Sequence, residues 1–425
     1  MSADLARHLQ QLIRPGDTLW WGQATAEPLT LTRALVEHRH AIAQGGRLGV
    51  FVGMAASDTL RPEQADVLDF FGYAAGGAHR QLADAGRLDI LPSHYSHLPG
   101  LIQGGVLPAD VLLLQVSKPD AAGRHSLGLV REYLPAVLAK ARVVVAEVNP
   151  AIPWTHGGPY LQAGDFALLV DAEHLPLDQP RGAIGAAEQA IARHIAGLIE
   201  DGATLQLGVG NLPEAVLAAL HGHRDLGLHT GAVTDGIAQL DEAGVLTNAQ
   251  KSIDRGVGIG GILMGSDILR RWAECNPQLE LRATDYTHDP VVLAKSHKLA
   301  AINAAIEVDL TGQINAEVAA GCYVGAVRGA VDFLRGAARS YGGLPIVALP
   351  ATAKGASRIV AQLSGPVSTP RSDAGLIVTE HGVADLRGQP LSRRVRRLIA
   401  IAAPEHRESL ERQAHELLRR CGAVL

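Results

Sequence analysis

The chain has 425 residues, is 47% hydrophobic and 19% charged, and carries a formal net charge of -5 at pH 7. This length suffices for two or three ordinary domains with large buried cores. The charge balance excludes the strongly basic surface that would attract nucleic acid or an anionic membrane. We therefore expect a soluble globular protein with neither of those partners.

The N-terminus and the cysteines give no sign of export. The opening stretch, MSADLARHLQQLIRPGD, has a helical period and scattered charges, unlike a signal peptide. No apolar run approaches the roughly 18 residues that a membrane span needs. Cys275, Cys322 and Cys421 are far apart, and no carboxylate or cysteine accompanies the pair His94 and His97. We expect a cytoplasmic protein with no disulfide framework and no metal site.

One segment of the chain occurs twice. ARHLQQLIRPGDTLWWG starts at Ala6 and ARHIAGLIEDGATLQLG starts at Ala192, so the two copies share one offset of 186 residues. Each copy reads helix, turn, strand and glycine loop and then continues into another helix, which predicts an internal duplication. The stretch AEHLPLDQPRGAIG is rich in helix breakers. We predict an N-terminal domain over residues 1–178 and a C-terminal domain over residues 186–425.

Short apolar, β-branched runs alternate with helical stretches in both halves, and PEHRESLERQAHELLRRCGAV predicts a C-terminal amphipathic helix. The runs predicted as strands are VLLLQVS (111–117), ARVVVAEVN (141–149), FALLVDA (166–172), LQLGVG, LGLHT, KLAAINAAIEVDL, IVALPA and GLIVTEHG. Such runs are typical of strands buried on both faces of a parallel sheet. The predicted fold class is α/β, with two similar open parallel-sheet halves. Because open parallel sheets bind ligands at the carboxyl ends of their strands, we expect function in the loops that follow.

Several of these loops carry candidate chemistry. GVGNLPEAV (208–216) brings glycines to a helix start, where backbone amides suit a phosphate, although a tight structural turn is the alternative. It is not a dinucleotide fingerprint, because the third glycine is missing. LHTGAVTDG is polar and rich in small residues, but its centre holds no acid, base or nucleophile. Glu307 lies in an apolar run, as an edge residue or a functional acid. The turn GAVRGAVDF offers amides to an oxyanion.

The ordered series EVNPAIPWTHGG, GVGNLPEAV, LHTGAVTDG, INAAIEVDLTGQINAE, DFLRGAARSYGG and IVTEHGVADLRG resembles the acetyl-CoA hydrolase/transferase family. These are class I CoA-transferases related to 4-hydroxybutyrate and succinyl-CoA:acetate CoA-transferases. The resemblance extends from about Leu12 to Leu410, and GQATAEP is similar to the family's GHxxGEP. It implies coenzyme A thioesters and a small carboxylate as substrates, a duplicated α/β fold and a homodimer.

Gly231 stands where that family has a glutamate, within a stretch similar to HTEMxSDG. In the family, the glutamate carboxylate attacks the acyl-CoA, and the released CoA thiolate then forms a glutamyl-CoA thioester that an incoming carboxylate resolves. Glycine has no side chain with which to do this. The flanking residues match the family pattern and comprise His229, Thr230, Asp235 and Gly236.

The resemblance also implies the remaining site residues. The CoA-binding loop comprises Gly208, Val209, Gly210, Asn211 and Leu212. Gln23 and Met54 are expected to bind substrate, and the amide of Ala326 is expected to help form an oxyanion hole. Arg328 replaces a family glycine. Three roles are open for its side chain: it binds a substrate carboxylate, it fills the space of the missing glutamate, or it points outward.

Three functions remain open from the sequence. In the first, the chain is an acyl-CoA transferase or hydrolase on a short acyl or dicarboxylic acyl-CoA, with the nucleophile replaced by Glu27, Glu307, Glu380 or an activated water. Water is the simplest replacement and favours hydrolysis. In the second, the chain transfers CoA to a small carboxylate or dicarboxylate without the usual glutamate. In the third, it is a non-catalytic CoA or acyl-CoA binder, or a partner subunit.

Overall fold

The structure is a computed structural model that describes residues 2–179 and 182–420. Within these residues the chain forms two compact units of similar size. The first unit contains the chain up to residue 180 together with 232–235 and 259–287, and the second contains 181–231, 236–258 and the chain from 288 onward. The predicted domains over residues 1–178 and 186–425 meet at one boundary, and the first compact unit also takes two later segments of the chain. Cys421 lies outside the described residues.

A seven-stranded parallel sheet forms the centre of the first unit. Its strands are β1 (Thr18–Trp21), β2 (Leu48–Val52), β3 (Leu68–Gly72), β4 (Leu88–Ile90), β5 (Val111–Val116), β6 (Val143–Val148) and β7 (Leu168–Asp171). Their spatial order is β4-β3-β2-β1-β5-β6-β7, and every neighbouring pair is parallel. The order reverses between β1 and β5. Ligands bind at such a reversal in open α/β sheets, and the loop that contains Gln23 follows β1 directly.

The second unit has a six-stranded sheet of the same kind. Its strands are β8 (Thr204–Leu207), β9 (Gly227–Leu228), β10 (Leu299–Ala304), β11 (Leu344–Ala348), β12 (Leu376–Thr379) and β13 (Gly382–Asp385). The order is β9-β8-β10-β11-β12-β13, and only β12 and β13 are antiparallel. Here the order reverses between β8 and β10, so the 208–212 loop after β8 lies at the reversal. The α/β prediction is confirmed.

The duplication is visible in the element order. β1 and β8 are offset by 186 residues at both ends (204 − 18 and 207 − 21), and all residues of both strands are buried. The strand is preceded by Ser2–Leu12 in the first copy and by Ala186–Ala196 in the second. It is followed by Leu29–Glu37 and by Asn211–Ala219, respectively. The repeated sequence therefore builds the strand at the reversal point of each sheet.

Helices and short strands complete the described chain. The α-helices are Ser2–Leu12, Leu29–Glu37, Arg39–Ala43, Arg80–Asp84, Leu98–Gln103, Leu134–Leu138, Ala186–Ala196, Asn211–Ala219, Asp235–Glu242, Asp267–Ala273, Thr284–Thr287, Pro290–Leu293, Ala330–Arg339, Leu391–Ala400 and Pro404–Arg420. Short strands outside the two large sheets are Arg124–His125, Leu161–Gln162, Ala232–Val233, Gly258–Gly260, Ile262–Leu263, Leu279–Leu281, Glu307–Asp309, Ile314–Asn315, Val318–Ala319, Cys322–Tyr323, Thr352–Ala353, Ala356–Ser357 and Ile359–Val360. None of the described helices is both long and apolar enough to cross a membrane.

The predicted strands are found where the apolar runs lie, and the two large sheets contain four further strands. The runs at 111–117, 141–149 and 166–172 contain β5, β6 and β7. β2, β3, β4 and β13 are not among the predicted strands. β3 places an exposed Asp69 inside an apolar run, and β4 is three residues long with no fully buried residue. β4 is the edge strand of its sheet, and it lacks the continuous apolar signal of central strands because only part of its surface is covered.

Candidate active site

The loop after β8 places backbone amides at a helix start in the second unit. Gly210 has a φ of +118°, a conformation that L side chains rarely adopt, and it directly precedes the helix Asn211–Ala219. Gly208 and Val209 are half-buried and Gly210 is exposed, so the backbone of this turn is accessible within the unit. Leu212 is buried, and Asn211 Nδ2 donates to the Ala183 carbonyl at 3.0 Å. The arrangement suits an anionic group such as a phosphate.

A threonine ties this loop to the segment that contains Gly231. Thr230 Oγ1 donates to the Leu207 carbonyl at 3.0 Å and accepts from the Leu207 amide at 3.3 Å. Leu207 is the last residue of β8, so the hydroxyl fixes Thr230 beside the strand that leads into the 208–212 loop. Thr230 and His229 are fully buried, whereas Gly231 is half-buried. The 208–212 loop and the segment that contains Gly231, which the sequence indicated as separate candidates, therefore lie next to each other.

The space beside Gly231 is occupied by an imidazole. A β-carbon built at residue 231 would lie 3.0 Å from both Cε1 and Nε2 of His288 and 3.9 Å from Cε2 of Phe333. A carbon at 3.0 Å from a ring is tighter than ordinary contact, so any side chain at this position would press on the histidine. Gly231 is thus more than a position without a carboxylate, because another functional group lies where its side chain would begin.

A second glycine borders the same ring. A β-carbon at Gly329 would lie 2.3 Å from Cδ2 and 2.7 Å from Nε2 of His288, so residue 329 has no room for a side chain. The imidazole packs on Phe333, with ring centroids 4.6 Å apart and an interplanar angle of 56°. The Nε2 edge of His288 therefore faces the backbone at both Gly231 and Gly329. No motif in the sequence analysis included His288. Its stretch, THDPVVL, lacks a glycine loop or an apolar run that would have drawn attention to it.

Burial keeps this imidazole neutral. The His288 side chain is enclosed, with 4% of the residue exposed, and its pKa is lowered to about 3 by loss of solvent and by the nearby His229. A neutral imidazole has one nitrogen that donates a hydrogen bond and one that accepts. At neutral pH the ring is therefore uncharged, and one of its nitrogens keeps a lone pair.

The turn that leads to Arg328 is organised by Glu317. The Glu317 backbone carbonyl accepts from the amides of Val324 and Gly325 at 2.8 Å and 2.9 Å, and its carboxylate accepts from Ser368 Oγ and the Tyr323 hydroxyl. The amide of Ala326, the expected oxyanion donor, donates to the Ala316 carbonyl at 3.2 Å. Within the second unit that amide is engaged in holding the turn.

Arg328 has an unusual backbone and an uncommitted side-chain atom. Its φ is +49°, in the left-handed region where a non-glycine residue is strained. The side chain is half-buried, and its buried Nε has no hydrogen-bond partner among the described residues. Its positive charge lowers the pKa of Tyr323, although burial and Glu317 raise that pKa more strongly. A strained, under-satisfied cation beside Gly329 is typical of a ligand-binding position.

The other carboxylates named from the sequence in this unit are held by protein groups. Glu307 accepts from Asn315 Nδ2 at 2.9 Å and from both the amide and the hydroxyl of Ser364. Glu380 Oε2 accepts from the Ala351 amide at 2.7 Å. These contacts join neighbouring strands and turns, which is a structural use of a carboxylate.

In the first unit, Gln23 lies in a buried network that uses both ends of its amide. Nε2 donates to Glu132 Oε2 at 2.7 Å and to the Tyr95 hydroxyl at 3.0 Å. Oε1 accepts from the Met54 amide at 2.9 Å and from the Tyr73 hydroxyl. The two residues expected to bind substrate, Gln23 and Met54, are therefore joined by a hydrogen bond, and Met54 is half-buried.

Glu132 is an acid that the sequence analysis did not single out. It is 3% exposed and has a φ of +42°, and burial raises its pKa to about 7 despite hydrogen bonds from Gln23 and Tyr95. Its neighbour Arg131 is fully buried and donates to the Gly158 carbonyl. A charged pair inside LVREYLP, between apolar residues, is the only sequence signal for this buried network.

Glu27, the candidate replacement carboxylate in the first unit, is also enclosed. Its oxygens accept from Thr32 Oγ1 at 2.9 Å and from Ser57 Oγ, and burial raises its pKa. Glu27 is therefore held by hydroxyl groups of its own unit. The described residues contain no group of three or more histidine, cysteine or acidic side chains placed to hold a metal ion.

Comparisons with known proteins agree on the class. Residues 5–161 match the acetyl-CoA hydrolase/transferase N-terminal domain and residues 265–414 match its C-terminal domain. The chain is 37% identical to the 4-hydroxybutyrate coenzyme A transferase of Clostridium kluyveri, with 92% of each chain covered. It is 23% identical to the acetyl-CoA hydrolase of Eremothecium gossypii, over 95% of this chain and 87% of that one. The crystal structure of RipA from Yersinia pestis superimposes with a TM-score of 0.91 at 31% identity, covering 97% of this chain and 96% of that one.

The paired parallel sheets and these matches define an α/β enzyme of the CoA-transferase type. The chain belongs to the acetyl-CoA hydrolase/transferase family. It is an acyl-CoA-processing enzyme, and the class predicted from the sequence is confirmed.

Proposed function

We propose that this enzyme hydrolyses an acyl-CoA thioester by direct attack of water, without an enzyme-bound CoA thioester. The observation that carries this proposal is the environment of residue 231. Glycine supplies no carboxylate there, and the His288 ring lies 3.0 Å from the position of a β-carbon. Neither Glu307 nor Glu380 supports a substitute nucleophile, because protein donors hold both carboxylates. Water needs no covalent attachment and can be activated by a neighbouring base.

The CoA moiety is assigned to the loop after β8. The half-buried residues Gly208 and Val209 and the exposed turn at Gly210 lie at the reversal point of the second sheet, where α/β proteins bind ligands. Thr230 connects this loop to Gly231 through Leu207. A thioester held by the loop would therefore be close to the segment that carries the altered position.

The acyl group of the substrate is proposed to carry a second carboxylate at its far end. Arg328 keeps a permanent positive charge, a strained left-handed backbone and a buried Nε that lacks a protein acceptor among the described residues. Arginine binds carboxylates through two parallel hydrogen bonds. A dicarboxylic acyl-CoA would satisfy this group, so succinyl-CoA should be a better substrate than butyryl-CoA.

Two further expectations accompany the family. The family resemblance leads us to propose a cytoplasmic homodimer, and size-exclusion chromatography with light scattering will test the dimer. CoA transfer to an acceptor is the second candidate activity, because the relative from Clostridium kluyveri is a transferase. The non-catalytic alternative has no comparable support.

A panel of short acyl-CoAs separates these activities. The purified protein is incubated with acetyl-, butyryl- and succinyl-CoA, with and without acetate, succinate or itaconate. Free thiol released at the same rate without acceptor supports hydrolysis. A new acyl-CoA formed only in the presence of acceptor would replace hydrolysis by transfer, and binding without turnover of any thioester would remove both.

A further inference from the structure

His288 is a buried histidine that lies against the altered position, residue 231, in the second unit. Its Nε2 is 3.0 Å from a β-carbon position at residue 231 and 2.7 Å from one at residue 329. Nε2 is the one ring atom within 3.0 Å of both positions. The ring edge that can carry or accept a proton is therefore directed at the two glycines, while Phe333 supports the ring at a centroid distance of 4.6 Å.

The distance from Gly231 places this nitrogen where a glutamate would act. The carboxyl carbon of a glutamate is two C–C bonds beyond its β-carbon, or roughly 2.5 Å away. Nε2, at 3.0 Å from the same point, lies at about that reach. We propose that His288 is a catalytic residue that occupies the volume of the glutamate and acts as the general base that activates water for thioester hydrolysis.

The placement of the ring excludes a side chain at residue 329 and leaves little room for one at residue 231. A side chain at residue 329 would overlap the ring, since its β-carbon would lie 2.3 Å from Cδ2. A side chain at residue 231 would press on the Nε2 edge. Glycine at both positions is thus the sequence counterpart of an imidazole between them. The loss of the carboxylate and the presence of the base are one structural change.

The chemistry balances with water as the only co-reactant. The Nε2 lone pair takes a proton from water as the water oxygen forms a bond to the thioester carbonyl carbon. The tetrahedral intermediate then expels the CoA thiolate as the carbon–sulfur bond breaks, and the imidazolium transfers its proton to the thiolate sulfur. The products are a carboxylic acid and free CoA, and the histidine ends in its starting state.

The neutral state of the ring permits the first proton transfer. Burial and His229 keep the pKa of His288 near 3, so the base form is present throughout the neutral range. A low pKa by itself makes a weak base. Negative charge that develops on the attacked carbonyl oxygen favours the imidazolium, because an opposite charge nearby raises the pKa of a histidine. The enzyme would therefore gain proton affinity at the moment when the reaction requires it.

This inference rests on the proposed hydrolysis, and the experiment distinguishes the two. Thioester cleavage is followed by thiol release for the wild type, for His288→Ala and His288→Asn, and for His297→Asn as the matched control. His297 is exposed in the same unit and has no part in the site. We expect kcat to fall by about 10²- to 10⁴-fold in both His288 variants, with KM changed little and the control unaffected.

Chemical rescue separates a catalytic base from a packing residue. His288→Ala leaves a ring-sized cavity beside two glycines, so added imidazole should restore part of kcat in proportion to its unprotonated fraction. Pyrrole, a ring of similar size without a basic nitrogen, should not. Restoration by both rings would show that His288 acts only by filling space and would overturn the inference.

Measurements on the unaltered enzyme complete the test. Proton transfer in the rate-limiting step predicts a slower kcat in D2O than in H2O. If the wild type cleaves thioesters with no solvent isotope effect, or if a folded His288→Asn keeps full kcat, the inference fails while the hydrolase proposal stands. If the wild type cleaves no thioester in the panel, the hydrolase proposal fails first and the role of His288 fails with it.

Discussion

His288 and Gly231 form a coupled pair, because the imidazole Nε2 lies 3.0 Å from the position of the β-carbon that residue 231 lacks. The family motif carries its functional group, a glutamate, at the position of Gly231. Here the imidazole of His288, from a different segment of the chain, lies beside that position. In the proposed hydrolysis, the chemistry of this site depends on the residue pair rather than on either residue alone.

The coupling predicts that a restored glutamate will not function by itself. In Gly231→Glu, the new side chain competes with the imidazole for one volume, and overpacking of this kind costs about 1–3 kcal/mol of folding free energy. We expect a lower urea midpoint and no gain in CoA exchange between butyryl-CoA and acetate. The double variant Gly231→Glu/His288→Ala removes the competing ring and should recover stability and gain exchange.

The single variant His288→Ala is the control for that experiment. It has the cavity but no carboxylate, so exchange should remain absent. A Gly231→Glu protein that is as stable as the wild type would contradict the packing argument. Equal exchange by the single and double glutamate variants would contradict the coupling.

Arg328 is expected to set the preference for a carboxylate-bearing acyl group. A charged hydrogen bond contributes about 1.5–3 kcal/mol, so Arg328→Gly should lower kcat/KM for succinyl-CoA by about tenfold or more and leave butyryl-CoA nearly unchanged. Stability should stay within about 1 kcal/mol of the wild type, because relief of the left-handed backbone offsets the extra chain entropy of glycine.

The conservative variant Arg328→Lys sharpens this measurement. Lysine keeps the charge but loses the planar, two-pronged geometry, so its effect on succinyl-CoA should lie between those of arginine and glycine. Parallel losses on succinyl-CoA and butyryl-CoA would mean that Arg328 supports the turn and does not read the acyl group.

Thr230 should hold the 208–212 loop and residue 231 in register. Thr230→Val keeps the shape but removes both hydrogen bonds to Leu207, and leaving buried backbone groups without partners costs about 1–3 kcal/mol. We expect a lower unfolding free energy and a higher KM for the acyl-CoA. Thr230→Ser retains the hydroxyl and should behave close to the wild type. A valine variant with unchanged stability and KM would exclude this anchoring role.

Glu132 predicts a pH dependence of stability for the first unit. Its pKa is about 7 when folded, against an ordinary value of 4.5, because burial disfavours the charged carboxylate. The folded state therefore holds a proton that the unfolded state releases between pH 4.5 and 7, and unfolding free energy falls across that window as pH rises. Glu132→Gln, which mimics the protonated acid, should remove a loss on the order of 3 kcal/mol at pH 8.

Urea unfolding of the wild type and Glu132→Gln at pH 5 and pH 8 measures this effect. The exposed Glu63, in the same unit, provides Glu63→Gln as the control. A difference between wild type and Glu132→Gln that does not grow from pH 5 to pH 8 would show that the carboxylate is already ionised at the lower pH.

Much of the architecture can be read from local patterns. The repeated Gly-x-Thr-Leu-x-x-Gly predicts β1 and β8. Both strands are buried, which favours apolar residues, and the glycine after each strand permits the turn that follows. Continuous apolar runs reveal β5, β6 and β7 for the same reason. The short edge strand β4 is not predicted, because its residues are partly exposed and can be polar, so the sequence shows no apolar run there.

The sequence by itself determined the family class, the duplicated α/β fold and the absence of a carboxylate at Gly231. It could not reveal His288, because residues 57 positions apart (288 − 231) have no local spacing that relates them. Only tertiary structure brought the Nε2 edge of that imidazole against Gly231 and Gly329 and enclosed it enough to keep it neutral. Likewise, only burial decided that Glu132 holds a proton near pH 7, since a pKa depends on the solvent and partners that folding provides.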